Sequence, residues 1–408
     1  MAATSSDRIF SLDAIRGVAV MGIFSVNIVA FAMIEAAYFS PASFGGRQGA
    51  DLFIWAANML LVDNRMRSLF SMLFGASMLL VIDRAEAYGQ SGAKVHYRRM
   101  LVLLLIGLVH YFLIWWGDIL VLYAVSGMII YAARNRSVKA LVLIGIALMV
   151  VHMALFGLFV AQLHHVDLAA HTPGASQKAI EEWNKGFGSF FPTATMIAED
   201  KAIHLQPFGP IVHKLENWSS IIGSNLVFIP DTLGLMCFGM AGYKSGFLTG
   251  QWSERNYRRI AATLIPIGIA GSVAVVAAAV MSDFDLFTMM AGFMFVLTPF
   301  CTLQAIGYAA LIILMTRHRG ALATRVAAAG RAAFSNYLGT SIIATFVFYG
   351  WGLGLYGSAS RAQAWLLVPI VWAIMLLWSK PWLDRFRYGP MEWIWRSLAR
   401  GKLQPMRR

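Results

Sequence analysis

Long uninterrupted apolar runs alternate with short polar connections along this chain. Runs long enough to span a bilayer as a helix, about 20 residues each, lie at 11–34, 66–83, 99–116, 118–133, 138–163, 218–243, 258–281, 286–315, 332–357 and 362–379. The pattern predicts an all-α fold, a polytopic transmembrane helical bundle of about ten spans forming a single transmembrane domain over residues 1–408. The runs are continuous and do not alternate over about ten positions, which argues against a membrane barrel. The stretch 51–62 (DLFIWAANMLLV) is apolar but too short to cross. It reads as an interfacial or re-entrant helix leading into the second span.

The polar connections set the orientation. Lys and Arg collect in 84–98, 134–137, 244–257, 316–331 and the tail from Lys380, whereas 35–50, Gly117–Asp118, 164–217, 282–285 and 358–361 are nearly free of them. The positive-inside bias then puts both termini in the cytoplasm and 164–217 over the extracytoplasmic face as a long outer loop. Its mixed composition predicts short amphipathic helices.

Composition sharpens this by exclusion. With 59% apolar and 13% charged residues and a mean hydropathy of +0.65, a soluble enzyme, a disordered chain, a collagen-like repeat and a coiled coil are excluded. The net charge of +13 would suggest nucleic acid for a soluble protein. Here basic loops facing anionic lipid account for it, and the expected partners are the lipid bilayer and a small-molecule or lipid-linked substrate, with no nucleic acid. Cys237 and Cys301 lie inside apolar runs and read as core residues. No cleavable signal peptide is expected, because the first apolar run is too long for one and holds Asp13 and Arg16. No glycine-rich phosphate loop, HExxH or CxxC occurs, and the outer-loop cluster His164, His165 and His171 lacks a suitably spaced acid, so no metal is expected.

Ionisable groups within spans are costly and are therefore candidates for chemistry. Asp13 and Arg16 can pair along one helix face, and Asn27, eleven residues on, returns to that face about 16 Å further along. Together they form one polar stripe, either lining a site or serving as a rim ion pair with an interhelical hydrogen bond. His110 falls about 17 Å into the third span, near the midplane, as a general base, a proton or acyl acceptor, or a plain hydrogen-bond donor. Asp118 closes a tight turn between the third and fourth spans and can cap the fourth helix. Asp231 follows Pro230, which should kink its helix and free the Leu226 carbonyl; its candidate partners are Arg16, His110 or a bound cation. Arg65 and Arg67 stand at the outer mouth of the second span, anchoring to phosphates or lining an anionic substrate's entrance. Asn336, between Ser335 and Tyr337, opens the ninth span after the basic loop Arg317–Arg331 and is a candidate cofactor-binding residue. The cytoplasmic arginines suit the phosphates of a coenzyme A, although topology alone accounts for them. The tail Gly389–Arg396 (GPMEWIWR) reads as an aromatic, basic interfacial helix.

Several of these stretches carry a resemblance. SLDAIRGVAVMGIFSVNI at Ser11–Ile28, RSLFSMLFGAS at Arg67–Ser77, RRMLVLLLIGLVHYFLIWWGDILVLYAVSGMI at Arg98–Ile129, DTLGLMCFGMAGYKSG at Asp231–Gly246, GRAAFSNYLGTSII at Gly330–Ile343 and GPMEWIWR at Gly389–Arg396 resemble, in order and over nearly the whole chain, the YeiB-like family of bacterial multipass membrane proteins (domain of unknown function 418). The resemblance implies a bacterial cytoplasmic-membrane protein of about ten helices. The opening LDxxRG followed by VN is also similar to the first helix of the heparan-glucosaminide acetyltransferase group, which takes an acyl group from cytoplasmic acyl-coenzyme A to an acceptor on the far side. That likeness implies donor-side roles for Asp13, Arg16 and Asn27. The group's catalytic histidine lies between its first two helices, where this chain has none from Asn27 to Arg67, so the base falls to His110, oriented by Asp231 or Asp118. The expected function is acyl transfer from acyl-coenzyme A. A transporter or proton-coupled permease with a midplane polar site, and a non-catalytic scaffold or lipid-binding protein, are the alternatives.

Overall fold

The computed structural model describes residues 9–187, 190 and 192–408. The helices, in chain order, are α1 (Phe10–Ala32), α2 (Glu35–Phe39), α3 (Gly49–Leu61), α4 (Arg65–Ala87), α5 (Gly92–Leu113), α6 (Leu120–Ile130), α7 (Val138–His171), α8 (Gln177–Phe187), α9 (Ala194–Leu205), α10 (Gly209–Glu216), α11 (Ser220–Lys244), α12 (Glu254–Met281), α13 (Leu286–Met290), α14 (Leu297–Thr316), α15 (Ala321–Arg331), α16 (Ala333–Phe348), α17 (Arg361–Trp365), α18 (Leu367–Arg385) and α19 (Pro390–Arg400). Among the described residues there is no β-strand, only an isolated bridge between Phe386 and Arg407. The all-α expectation holds.

Among the described residues, eight helical stretches are long and apolar enough to cross a membrane, and two shorter apolar helices, Leu120–Ala133 and Ala333–Phe348, accompany them. The predicted ninth run, 332–357, is shorter as a helix because Tyr349 turns the chain into extended backbone after Phe348. The predicted short helix at 51–62 is α3. It meets α4 at Asn64, whose left-handed φ of 60° breaks the ladder and sets the direction in which Arg65 and Arg67 leave the turn. The outer loop forms short helices as expected. Both cysteines are buried and free.

Close helix crossings position the polar groups. At the crossing of α4 and α11 a Cβ on Gly75 would overlap the Met236 carbonyl, and one on Gly239 would overlap that of Met72. With no side chain between them the two backbones touch, and this docking carries Asp231 to the side of α4 that bears Arg67. α1 runs through the middle of the bundle against α4, α14, α15 and α16. The tail helix α19 packs on α5 and α16: Trp395 donates its indole N–H to the Arg99 carbonyl at 2.9 Å while the Arg99 guanidinium stacks over the ring. Glu392 accepts the first backbone N–H groups of α16, Phe334 at 2.7 Å and Ser335 at 3.2 Å, together with the Ser335 hydroxyl at 2.5 Å.

Candidate functional site

A cavity of about 410 Å³, outer in the orientation predicted from the loop charges, lies among the helix ends that carry α2, the α3–α4 turn and the α5–α6 connection. Its wall is mostly aromatic, aliphatic and methionine side chains. Its polar groups include Asn27 of α1, Tyr38, the turn Asp63–Asn64, Arg67, His152 and Asp118. Arg67 is held from two sides: Asn64 Oδ1 accepts from Nε at 3.0 Å and from Nη2 at 2.8 Å, and Asp231 Oδ2 accepts from Nη2 at 2.5 Å. The Asp231 side chain is 3% exposed, so the pair is largely withdrawn from water. Asp231 therefore has Arg67 as its ion-pair partner; the expected pairing with His110 or Arg16 is corrected. The spacing of the two sequence segments conceals this, because the partners are 164 positions apart. Pro230 sits inside a helix that continues past it. One turn before Asp231 the Val227 carbonyl faces His152 Nδ1 at 3.3 Å.

His110 stands beside this cavity. α5 begins at Gly92, so His110 falls in its last turn near the outer connection to α6, not at the midplane reached by counting from residue 99. Asp118 Oδ1 lies 2.7 Å from His110 Nδ1, and both side chains are 1% exposed. The other ring nitrogen, Nε2, lies 3.0 Å from Ser341 Oγ of α16. The carboxylate of Asp118 is acceptor-only, so Nδ1 donates to it and Nε2 is left to accept from the Ser341 hydroxyl. Asp118 Oδ2 also accepts the Val121 N–H at 2.8 Å, the cap expected for the fourth span. Asp118 and Tyr337 border the cavity, and the Tyr337 ring centroid is 5.3 Å from that of His110. The Ser341–His110–Asp118 chain thus lies directly behind that wall.

Other expected residues have structural duties. Arg65 borders the cavity but is 1% exposed. It donates to Gln304 Oε1 at 2.9 Å, to the Met59 and Asp63 carbonyls at 2.7 Å each, and to Ser272 Oγ. Those partners tie α4 to α12 and α14, so Arg65 is corrected from entrance residue to tether. Asn336 is buried away from both cavities: its amide donates to the Ala329 carbonyl and Ser379 Oγ, and its oxygen accepts the Trp378 indole N–H at 2.8 Å. This pins α16 to α18 and leaves no cofactor role. Asp13 and Arg16 pair at 3.0 Å as expected, and Arg16 also donates to Ser77 Oγ at 2.7 Å. They belong to the N-terminal half of α1, whereas Asn27 borders the 410 Å³ cavity further along the helix; the single stripe is divided between two places.

A second cavity, of about 610 Å³, opens near the N-terminal end of α1. Ser11, Lys244, Gln251, Arg317 and Arg319 border it, and among the described residues no acid does. Arg319 has a left-handed φ of 47° and lies over the Phe10 ring. Lys244 donates to the Arg134 and Arg136 carbonyls. The two cavities share no bordering residue. No cluster of histidine, cysteine and acid able to hold a metal ion occurs among the described residues.

Sequence reasoning missed His152, Tyr337 and Ser341. His152 is the lone histidine of the run 138–163, a signal equal to that of His110. Ser341 carries no signal, because a serine in a membrane helix ordinarily bonds its own preceding turn, and the Tyr337 carbonyl at 3.3 Å is the alternative acceptor for its one hydroxyl proton.

Residues 242–402 match the family described as a protein of unknown function, DUF418. An uncharacterized protein YeiB of Escherichia coli strain K12 is 32% identical, with 96% of each chain covered. An uncharacterized protein YxaH of Bacillus subtilis strain 168 is 29% identical over 98% of this chain and 96% of that one. An uncharacterized 39.9 kDa protein in the amylase 3′ region of Bacillus acidopullulyticus is 24% identical over 98% and 96%. No solved structure matches.

Proposed function

This chain belongs to the DUF418 family of YeiB and its bacterial relatives, and from that premise we propose that it is a membrane-embedded acyltransferase of the bacterial cytoplasmic membrane, with about ten spans and both termini inside. Cytoplasmic acyl-coenzyme A is the donor, and a hydroxyl or amine in the outer cavity is the acceptor.

The observation that carries this reading is the chain from Asp118 through His110 to Ser341, at 2.7 and 3.0 Å. A carboxylate fixing one imidazole nitrogen leaves the other as a base toward a hydroxyl, the arrangement that activates a nucleophile. The Ser341 oxygen adds to the acyl carbonyl while its proton passes to His110 Nε2. The carbon–sulfur bond breaks, the thiolate leaves with the electron pair, and His110 returns the proton to it. The acceptor then attacks the serine ester, gives its proton to His110, and Ser341 recovers it as the ester bond breaks. Asp118 holds the imidazolium in both halves. Tyr337, between cavity and histidine, is the partition that must turn aside for the acceptor. On the donor side, Lys244, Arg317 and Arg319 offer three cations to the phosphates of the coenzyme. The acyl arm has to cover the ~18 Å of α1 between Ser11 and Ile23.

The test uses full-length protein in lipid nanodiscs with radiolabelled acyl-coenzyme A. Base-labile label on the peptide holding Ser341 is expected. His110→Ala should lower transfer about 10²–10⁴-fold, and Ser341→Ala should abolish labelling. Full turnover by the His110→Ala protein overturns the mechanism.

A further inference from the structure

The outer cavity has a lining that acyl transfer alone does not require. Five methionines border it: Met59, Met66, Met289, Met290 and Met294. Thioether side chains are flexible and polarizable and make a wall that re-packs around a chain of variable shape. Met294 lies in a π-helical stretch, Ala291–Val296, between α13 and α14. Such widened turns weaken the local ladder and recur at functional sites. Phe295 and Val296 of the same stretch are 38% and 39% exposed on its outward side, where the spans meet lipid. At the polar end, two buried donors have no partner among the described residues, Arg67 Nη1 and Trp115 Nε1, and both residues border the cavity. An unmatched guanidinium nitrogen in a residue that borders a hollow is a candidate donor to an oxygen acceptor. Glu35, Asp63 and Asp118 also border the cavity, and their charge works against an acceptor carrying more than one negative charge.

We infer that the outer cavity binds a single-chain amphiphile whose head places one oxygen acceptor, of no more than one negative charge, on Arg67, with its aliphatic tail against the methionine wall. A cavity of about 410 Å³ falls within the roughly 300–1,000 Å³ range of small-molecule sites. The entrance is lateral, from the outer leaflet past the π-helical stretch. This deepens the acyl-transfer reading by giving the class of the outer ligand, and rests on that reading only for what happens to the ligand once bound.

The probe is dodecanoate carrying a diazirine in its chain, added to full-length protein in phosphatidylcholine nanodiscs without acyl donor. Photolysis should label peptides within 286–297, and unlabelled dodecanoate should displace the label. In Arg67→Gln/Asp231→Asn, which leaves neither charge unpaired, competition by dodecanoate should weaken about tenfold, while competition by dodecanol stays as in the wild type. Met290→Trp, which adds bulk to the cavity wall, should lose the label while the protein keeps a cooperative melting transition. Label confined to lipid-facing residues such as Leu101 and Leu105, or retained in Met290→Trp, overturns the site. Equal weakening for dodecanol overturns the assignment of the head to Arg67. Cavity labelling without any acyl transfer defeats only the enzymatic reading, and transfer without cavity labelling defeats only this inference.

Discussion

Arg67 is fixed by Asn64 and Asp231 before any ligand arrives, so its free nitrogen occupies one place in the wall. Breaking that pair from one side is costly because it strands a charge in a poorly solvated setting. Asp231→Asn should lower stability by about 3 kcal/mol, and adding Arg67→Gln should restore part of the loss, read as melting temperature in nanodiscs. A different residue answers to pH. Lys214, in the outer helix α10, is 6% exposed, and burial lowers its ammonium to about 8 from the usual 10.5. Between those values the unfolded chain holds the proton and the folded chain does not, so stability rises as pH climbs from about 8 to 10.5. Hydrogen exchange in Gly209–Glu216 should slow over that interval, and Lys214→Met should remove the dependence. A wild type whose exchange protection falls with rising pH refutes the assignment. Partnerships of this kind are the least legible part of the chain: Arg67 meets Asp231 across 164 positions and His110 meets Ser341 across 231. Which polar residues would be buried could be read from their apolar surroundings. Which would meet depends on helix crossings that no local pattern records, and Asn336 and Arg65 fell to structural roles for that reason.

Elements were far more legible, because a lipid-spanning helix announces itself by length and continuity. Every predicted apolar run overlaps a helix, although 332–357 outruns α16 and 286–315 is divided among α13, a π-helical stretch and α14, and the run too short to cross became α3. The departures occur at ends. α5 begins earlier than its apolar run because Ser91 accepts the Lys94 N–H as an N-cap and admits a basic first turn, and this moved His110 outward. α16 begins against Glu392, a side chain supplied by another helix, so its start could not be read from its own sequence. Replacing Glu392 with Ala should cost about 1–2 kcal/mol through the lost cap; Glu392→Gln, which keeps an acceptor, should cost less. Where α4 and α11 touch, Gly75→Ala or Gly239→Ala forces the backbones apart, with an expected loss of about 1–3 kcal/mol. Either change should also loosen the Arg67–Asp231 pair, visible as a weaker dodecanoate site. Unaltered thermal stability in the Gly239→Ala protein contradicts the account of this crossing.

At the scale of the whole molecule, two hollows of opposite character share no wall residue among the described residues: an outer one that is methionine-rich and an inner one whose described border holds three cations and no acid. Charge reversal at Arg317 should raise the donor KM several-fold while dodecanoate labelling of the outer cavity is unchanged, since the two cavities share no bordering residue among the described residues. A parallel loss at both sites contradicts that separation.

α1 nevertheless furnishes residues to both compartments, Ile9 to Ser11 at one end and Ile23 to Ala30 at the other. A tilt of α1 that admitted a molecule at one end would displace part of the wall of the other cavity. Thermodynamic linkage then makes the influence mutual: whatever factor an inner occupant imposes on outer affinity, the outer occupant imposes in return.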